Sequence, residues 1–144
     1  MIRVTRRYRF SAAHVLARED WDAARNRQVY GKCANPHGHG HNYALEVTLR
    51  GEIQPDSGRV VSLDELDGLV QRVVLDRLDH RFLNAEVEEF ALDVPTAENI
   101  ARFVWAALMR EIERGALAGA DLQRIRLVET ENNAVEYVAE ERRG

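Results

Sequence analysis

The chain has 144 residues, which fits a single domain spanning residues 1–144 and allows a substantial hydrophobic core. Its formal net charge of −4 argues against a nucleic-acid partner bound through the phosphate backbone. There is no run of about 18 apolar residues, no signal-peptide apolar core and only one cysteine, so we expect a cytoplasmic protein that does not span a membrane.

The first half of the chain contains two alternating segments that predict strands. Apolar and polar residues alternate from about Ile2 to His14, and His14 ends this strand on its apolar face. Residues 15–32 have no clean period and are predicted to form a long loop, with a short helix around Trp21–Arg25. A second strand is predicted from about His39 to Ile53, followed by a turn at residues 55–58 and a short return strand at residues 59–61.

The second half predicts two helices followed by two strands. Ser62 opens a capping box, and apolar residues then recur with helical period to about Leu78. Residues 79–94 show little pattern and are predicted to be a connection. Thr96 is the predicted N-cap of the second helix, which ends near Gly115. The last two strands are predicted at residues 122–130 and 135–139.

This order of two strands, two helices and two strands predicts the fold class. Both helices must cover one face of the sheet, because neither element can bury its apolar side alone. The prediction is therefore an α+β domain with a four-stranded antiparallel sheet and two helices on one face.

Three of the five histidines suggest a metal site. His39 and His41 are separated by one glycine and share a face of the second strand. If the first two strands pair antiparallel, His14 comes close to both of them. Three imidazoles leave a fourth position of zinc open for water or substrate, as in catalytic sites.

Two features leave alternatives open at this stage. Cys33 is either a fourth zinc ligand, which would close the site, or a base or nucleophile beside an open metal. His37 creates a second His-Gly-His, so His37 and His39 form a competing ligand register. The strand alternation and the following Asn42 favour His39 and His41.

Other polar residues carry weaker signals. Asp79 and His80 form a carboxylate–imidazole pair just past a predicted helix end, where such pairs are often only a cap and a surface residue. Glu129 shares a parity with Ile125 and Leu127, so it is expected to point inward.

Several motifs, in the same order, resemble one family. They are Phe10-Ser11-Ala12-Ala13-His14, Cys33 followed by His39-Gly40-His41-Asn42-Tyr43, Leu78-Asp79-His80, Pro95-Thr96-Ala97-Glu98-Asn99 and Glu129-Thr130. Together they resemble the 6-pyruvoyl-tetrahydropterin synthase family, which includes the 6-carboxytetrahydropterin synthases of queuosine biosynthesis. The resemblance extends from about residue 3 to residue 139.

The resemblance implies a fold, an assembly and residue roles. It implies a tunnelling fold that assembles as a homohexamer of two stacked trimers, with sheets closing into a barrel and each site lying between subunits. It implies that Cys33 abstracts a substrate proton and that Asp79 and His80 relay protons. Glu129 would grip the pterin ring and Thr96 would contact it, while the role of Glu98 stays open.

The implied activity is that of a zinc-dependent lyase acting on 7,8-dihydroneopterin triphosphate. Elimination of triphosphate would give a pyruvoyl product, or a carboxy product with acetaldehyde in the queuosine branch. Magnesium is a further candidate for binding the triphosphate, without a sequence feature of its own. The spacing from Cys33 to His39 resembles the pyruvoyl type, whereas the spacing from Cys33 to His37 resembles the queuosine type. The alternative is a non-catalytic module that binds zinc and pterin, and the combined presence of Cys33, Asp79 and His80 argues against it.

Overall fold

The computed structural model describes residues 1–140 and has an α+β architecture. Its strands are β1 (Ile2–His14), β2 (His39–Gly51), β3 (Arg81–Phe82), β4 (Ala120–Thr130) and β5 (Asn133–Val138). Its α-helices are α1 (Ala23–Tyr30), α2 (Leu63–Val70), α3 (Asp76–Leu78), α4 (Leu83–Glu86) and α5 (Ala97–Glu113). A π-helical turn (Gln71–Leu75) joins α2 to α3, and 3-10 turns occupy Gly31–Ala34 and Glu88–Ala91.

The sheet has five strands in the order β3-β1-β2-β4-β5. The four long strands pair antiparallel, as predicted, but β3 adds to β1 in parallel. The prediction of four wholly antiparallel strands was therefore wrong. The backbone N–H of His80 donates to the carbonyl of Ser11 at 2.6 Å, which draws the residues after α3 alongside β1.

The two segments predicted as connections contain more structure than their composition indicated. In the first, α1 begins at Ala23, because the Asp22 carboxylate accepts the Arg25 N–H at 2.7 Å as an N-cap. The buried side chain of Asn26 bonds both the N–H and the carbonyl of Arg18, which folds this loop back on itself. In the second, residues 79–94 contain β3, α4 and a 3-10 turn.

Most predicted element boundaries are close to the observed ones. Strand β2 ends at Gly51, two residues earlier than predicted, and the expected return strand at residues 59–61 is reduced to a single bridge between Gln54 and Arg59. Thr96 caps α5 as predicted, since its hydroxyl accepts the Asn99 N–H at 3.1 Å.

The hydrophobic core lies between the sheet and the helices on one face. Alternate residues of β1, β2 and β4 are buried, including Phe10, Tyr43, Leu45 and Leu127, and α5 packs on β4 and β5. The other face of the sheet is polar. No helix within residues 1–140 combines the length and the apolar character that a bilayer crossing requires.

Candidate active site

Strand pairing brings the three predicted histidines together at one end of the sheet. His14 is the direct cross-strand partner of His39, and Ala12 is the partner of His41. All three imidazoles lie on the helix-covered face, and one ring nitrogen from each lies within 4.8 Å of the others. The antiparallel pairing expected from the sequence is confirmed, and the three rings form a cluster that can hold a metal ion.

His14 is fixed by a backbone contact from a distant segment. Its Nδ1 lies 2.7 Å from the carbonyl oxygen of Pro95, just before α5, and its side chain is 1% exposed. Because a carbonyl only accepts, Nδ1 carries the proton and Nε2 keeps its lone pair. Burial lowers the pKa of His14, and burial also lowers that of His39, so both rings favour the neutral form that binds metal.

The donor atoms fit a divalent metal that prefers nitrogen ligands. The Nε2 atoms of His14 and His39 are 3.0 Å apart, close to the roughly 3.3 Å expected between two ligands of a tetrahedral zinc. The Nε2 of His41 is buried and has no hydrogen-bond partner among residues 1–140. An orphaned buried nitrogen is costly, and a metal ion shared with the other two rings would satisfy it.

Cys33 lies close to this cluster without joining it. It belongs to the 3-10 turn Gly31–Ala34, and its carbonyl accepts the N–H of Leu16 at 2.9 Å, beside the end of β1. Within the part of the chain that the structure describes, the ligand cluster contains the three histidines and not Cys33. This arrangement disfavours a closed site with four protein ligands.

His37 stands outside the cluster. Its side chain is exposed, and its backbone N–H donates to Asn35 in the turn before β2. Of the two possible histidine registers, the structure therefore brings together His39 and His41.

Glu129 faces the same region from β4. It lies opposite Tyr43, because Ala44 pairs with Val128 in the antiparallel β2–β4 ladder. It is partly buried, as its parity predicted, and it accepts a hydrogen bond from Asn133 at 3.3 Å. Burial raises the pKa of Tyr43 well above its ordinary value, and the charges of Glu129 and Cys33 raise it further.

Asp79 and His80 are anchored to the opposite side of β1. One Asp79 oxygen accepts both the Ser11 N–H and His80 Nδ1–H at 2.9 Å, and the Ser11 contact is the main cause of its lowered pKa. His80 adopts a left-handed backbone with φ 60°, and its side chain is 81% exposed. The cleft beside it, about 480 Å³, is lined by Ser11 and Asn42 from the helix-free face. The structure thus does not bring this pair together with Cys33 in one chain.

Thr96 and Glu98 lie at the start of α5. Thr96 follows Pro95, whose carbonyl holds His14, so its side chain is next to the cluster. Glu98 is exposed in the first helical turn, where a negative charge is favourable. The sequence analysis missed the part played by Pro95, since a backbone carbonyl leaves no residue-type signal.

Comparison with known proteins gives the family. The family model described as "6-pyruvoyl tetrahydropterin synthase" matches residues 3–140. The human 6-pyruvoyl tetrahydrobiopterin synthase is 39% identical over 137 residues, which is 95% of this chain and 91% of that protein. The Haemophilus influenzae 6-carboxy-5,6,7,8-tetrahydropterin synthase is 27% identical over 157 aligned residues, covering 95% of this chain and 99% of that protein.

A solved structure agrees with this assignment. The Caenorhabditis elegans 6-pyruvoyl tetrahydropterin synthase superposes with a TM-score of 0.87 at 37% identity and covers 96% of both chains. A Plasmodium vivax 6-pyruvoyltetrahydropterin synthase, at 20% identity and a TM-score of 0.68, shares the fold. From the match over residues 3–140 and these relatives, we conclude that the chain belongs to the 6-pyruvoyl tetrahydropterin synthase family.

Proposed function

We propose that this chain, a lyase of the 6-pyruvoyl- and 6-carboxytetrahydropterin synthase type, acts on 7,8-dihydroneopterin triphosphate with zinc as its metal. The observation that carries the proposal is the cluster of three histidines within 4.8 Å, with Cys33 and Glu129 beside it. When bound there, zinc supplies Lewis-acid polarisation of the hydroxyls on the substrate side chain.

The residues around the cluster have complementary roles in this proposal. The Glu129 carboxylate accepts two hydrogen bonds from the pterin ring N–H and the exocyclic amine, which fixes the ring at one end. Thr96 contacts the ring from the start of α5. The Cys33 thiolate takes a carbon-bound proton next to the polarised hydroxyl. His80, held by Asp79, returns protons as the side chain tautomerises and triphosphate leaves.

Because His80 faces the opposite side of the sheet from Cys33, we assign this proton relay to a second copy of the chain. Asp79 and His80 of one copy would face Cys33 of another, so that each site lies between subunits. The His80 side chain suits this role, since it is 81% exposed and held by Asp79.

The pyruvoyl product is favoured over the carboxy product. The cluster uses His39 and His41, and the Cys33–His39 spacing is that of the pyruvoyl type. Human 6-pyruvoyl tetrahydrobiopterin synthase is also more similar to the chain, at 39% against 27% for the Haemophilus influenzae 6-carboxy protein.

Mass spectrometry of the products tests the proposal directly. The zinc-loaded full chain is incubated with 7,8-dihydroneopterin triphosphate and magnesium, and we expect inorganic triphosphate and 6-pyruvoyl-tetrahydropterin. Acetaldehyde with a 6-carboxy product would assign the queuosine branch instead. Binding of zinc and pterin without any triphosphate release would show a non-catalytic binding module.

Replacing Glu129 by Gln tests the proposed grip on the pterin ring. The amide keeps the shape but loses the charge, so we expect kcat/KM to fall about 10- to 100-fold, as for a lost hydrogen bond to a charged group. Zinc content should stay at one ion per chain. Glu136→Gln is the matched control, because Glu136 lies on β5 and pairs with Arg124 and Arg126 on the helix-free face. Equal kinetics of the two variants would contradict the role of Glu129.

The proposed homohexamer, with trimers whose sheets close into a barrel, is supported by two unpaired sheet edges. Beyond the short contact with β3, the outer edge of β1 is open from residue 2 to residue 10, and β5 forms the other edge of the sheet. Exposed strand edges invite pairing with another chain. Tyr137 and Val138 on β5 and Ile2 on β1 add exposed apolar side chains at these edges.

Arg9→Pro tests whether the β1 edge carries the assembly. The N–H and carbonyl of Ser11 point outward to Asp79 and His80, and the β1–β2 register is unbroken, so the N–H of Arg9 points outward as well. Proline there removes an edge donor without removing a ladder bond to β2. We expect light scattering to show a hexamer for the wild type and smaller species for the variant. Arg9→Ala, which keeps the N–H, should assemble normally; a fully assembled Arg9→Pro variant would exclude this edge.

A further inference from the structure

The hydroxyl of Tyr43 is a buried polar group to which the proposed chemistry gives no role. Tyr43 is 1% exposed, and its hydroxyl has no hydrogen-bond partner within residues 1–140. Buried polar groups are normally paired, and leaving one unpaired lowers stability. Phenylalanine would fill the same space without this cost, so the hydroxyl itself requires an explanation.

The position of Tyr43 indicates what its hydroxyl serves. Its ring centroid lies 5.6 Å from that of His41 and 6.4 Å from that of His14. On its other side, Glu129 is the cross-strand neighbour of Tyr43 on β4. Phe10 stacks on the ring at 4.8 Å and holds it in place. Tyr43 therefore lies between the histidine cluster and the carboxylate proposed to grip the pterin.

We propose that Tyr43 is a further substrate-contacting residue, whose hydroxyl donates a hydrogen bond to the acceptor edge of the bound pterin ring. This inference rests on the proposed function. Between the N–H and amine edge assigned to Glu129 and the side chain directed at the histidines, a dihydropterin presents a carbonyl oxygen and an imine nitrogen. Both are acceptors, so the carboxylate of Glu129 cannot serve them, whereas a neutral hydroxyl can donate to either.

Tyr43→Phe should change stability and binding in opposite directions. In the ligand-free chain the variant loses an unpaired buried hydroxyl, so we expect its melting temperature to be equal to or above that of the wild type. Its affinity for 7,8-dihydroneopterin, measured by fluorescence titration, should fall about tenfold through one lost hydrogen bond. The same fall is expected for 7,8-dihydropterin, which lacks the side chain, because the contact is to the ring.

Tyr8→Phe is the matched control. The Tyr8 hydroxyl is partly buried and donates to Asp67 at 2.7 Å, on the β1–α2 contact. Removing it should lower the melting temperature, since Asp67 loses a partner, and should leave both pterin affinities unchanged. The two variants thus make the same chemical change with opposite expected results.

Unchanged affinity of Tyr43→Phe for both pterins would overturn the inference. A fall confined to dihydroneopterin would overturn the ring contact, and a melting temperature lowered as in Tyr8→Phe would show that the hydroxyl already has a partner. Absence of triphosphate release by the wild type would count against the proposed function, while the two affinities would still decide the role of Tyr43.

Discussion

His41→Ala is expected to abolish both metal binding and turnover. The buried Nε2 of His41 has no other partner among residues 1–140, and its ring lies 4.9 Å from that of His39 and 5.2 Å from that of His14. Loss of an orienting partner outside the ligand set already costs about 10- to 100-fold in metal affinity, and loss of a ligand costs more. We expect zinc to be undetectable in the purified variant and triphosphate release to fall by at least about 1,000-fold.

His37→Ala is the control that the sequence itself provides. His37 belongs to the competing His-Gly-His, yet its side chain is exposed in the turn before β2. The variant should keep one zinc per chain and turn over like the wild type. Zinc retained by His41→Ala and lost by His37→Ala would reverse the assignment of the ligands.

Cys33→Ala is expected to lose turnover and keep the metal. A positioned general base contributes about 100- to 10,000-fold to a rate, so we expect triphosphate release to fall about 1,000-fold. Zinc content should remain at one per chain, because the cluster consists of His14, His39 and His41 without the thiol. Triphosphate release at the wild-type rate would rule out Cys33 as the base.

X-ray absorption at the zinc edge separates this role from metal ligation by Cys33. The wild-type spectrum should contain only nitrogen and oxygen neighbours. A sulfur neighbour near 2.3 Å would instead identify a closed structural site. In that case Cys33→Ala should also release zinc, which provides a second, independent measurement.

The sequence predicted the local structure well where patterns are regular. Alternation in residues 2–14 and after His39 placed His14, His39 and His41 on faces that the antiparallel pairing then joined. The capping residues Ser62 and Thr96 marked the helix starts correctly. Such features depend on neighbours within a few residues, so they can be read without knowing the rest of the fold.

The placement of Asp79 and His80 could not be predicted in the same way. They follow a helix end in a segment without periodicity, and their position depends on hydrogen bonds to Ser11, 68 residues away for Asp79. The same contacts generate β3, which the composition of residues 79–94 did not indicate. Whether a pair of residues faces the histidine cluster or the opposite side of β1 is decided by these long-range bonds.

The sequence by itself determined the family, the strand faces and the residue types available for a metal and a proton transfer. Only the tertiary structure decided which groups meet: the Pro95 carbonyl with His14, Glu129 with Tyr43, and His80 with the helix-free face. The physical reason is that a side-chain period is fixed along one strand, whereas register and partner choice are fixed by packing and hydrogen bonds between segments distant in the chain.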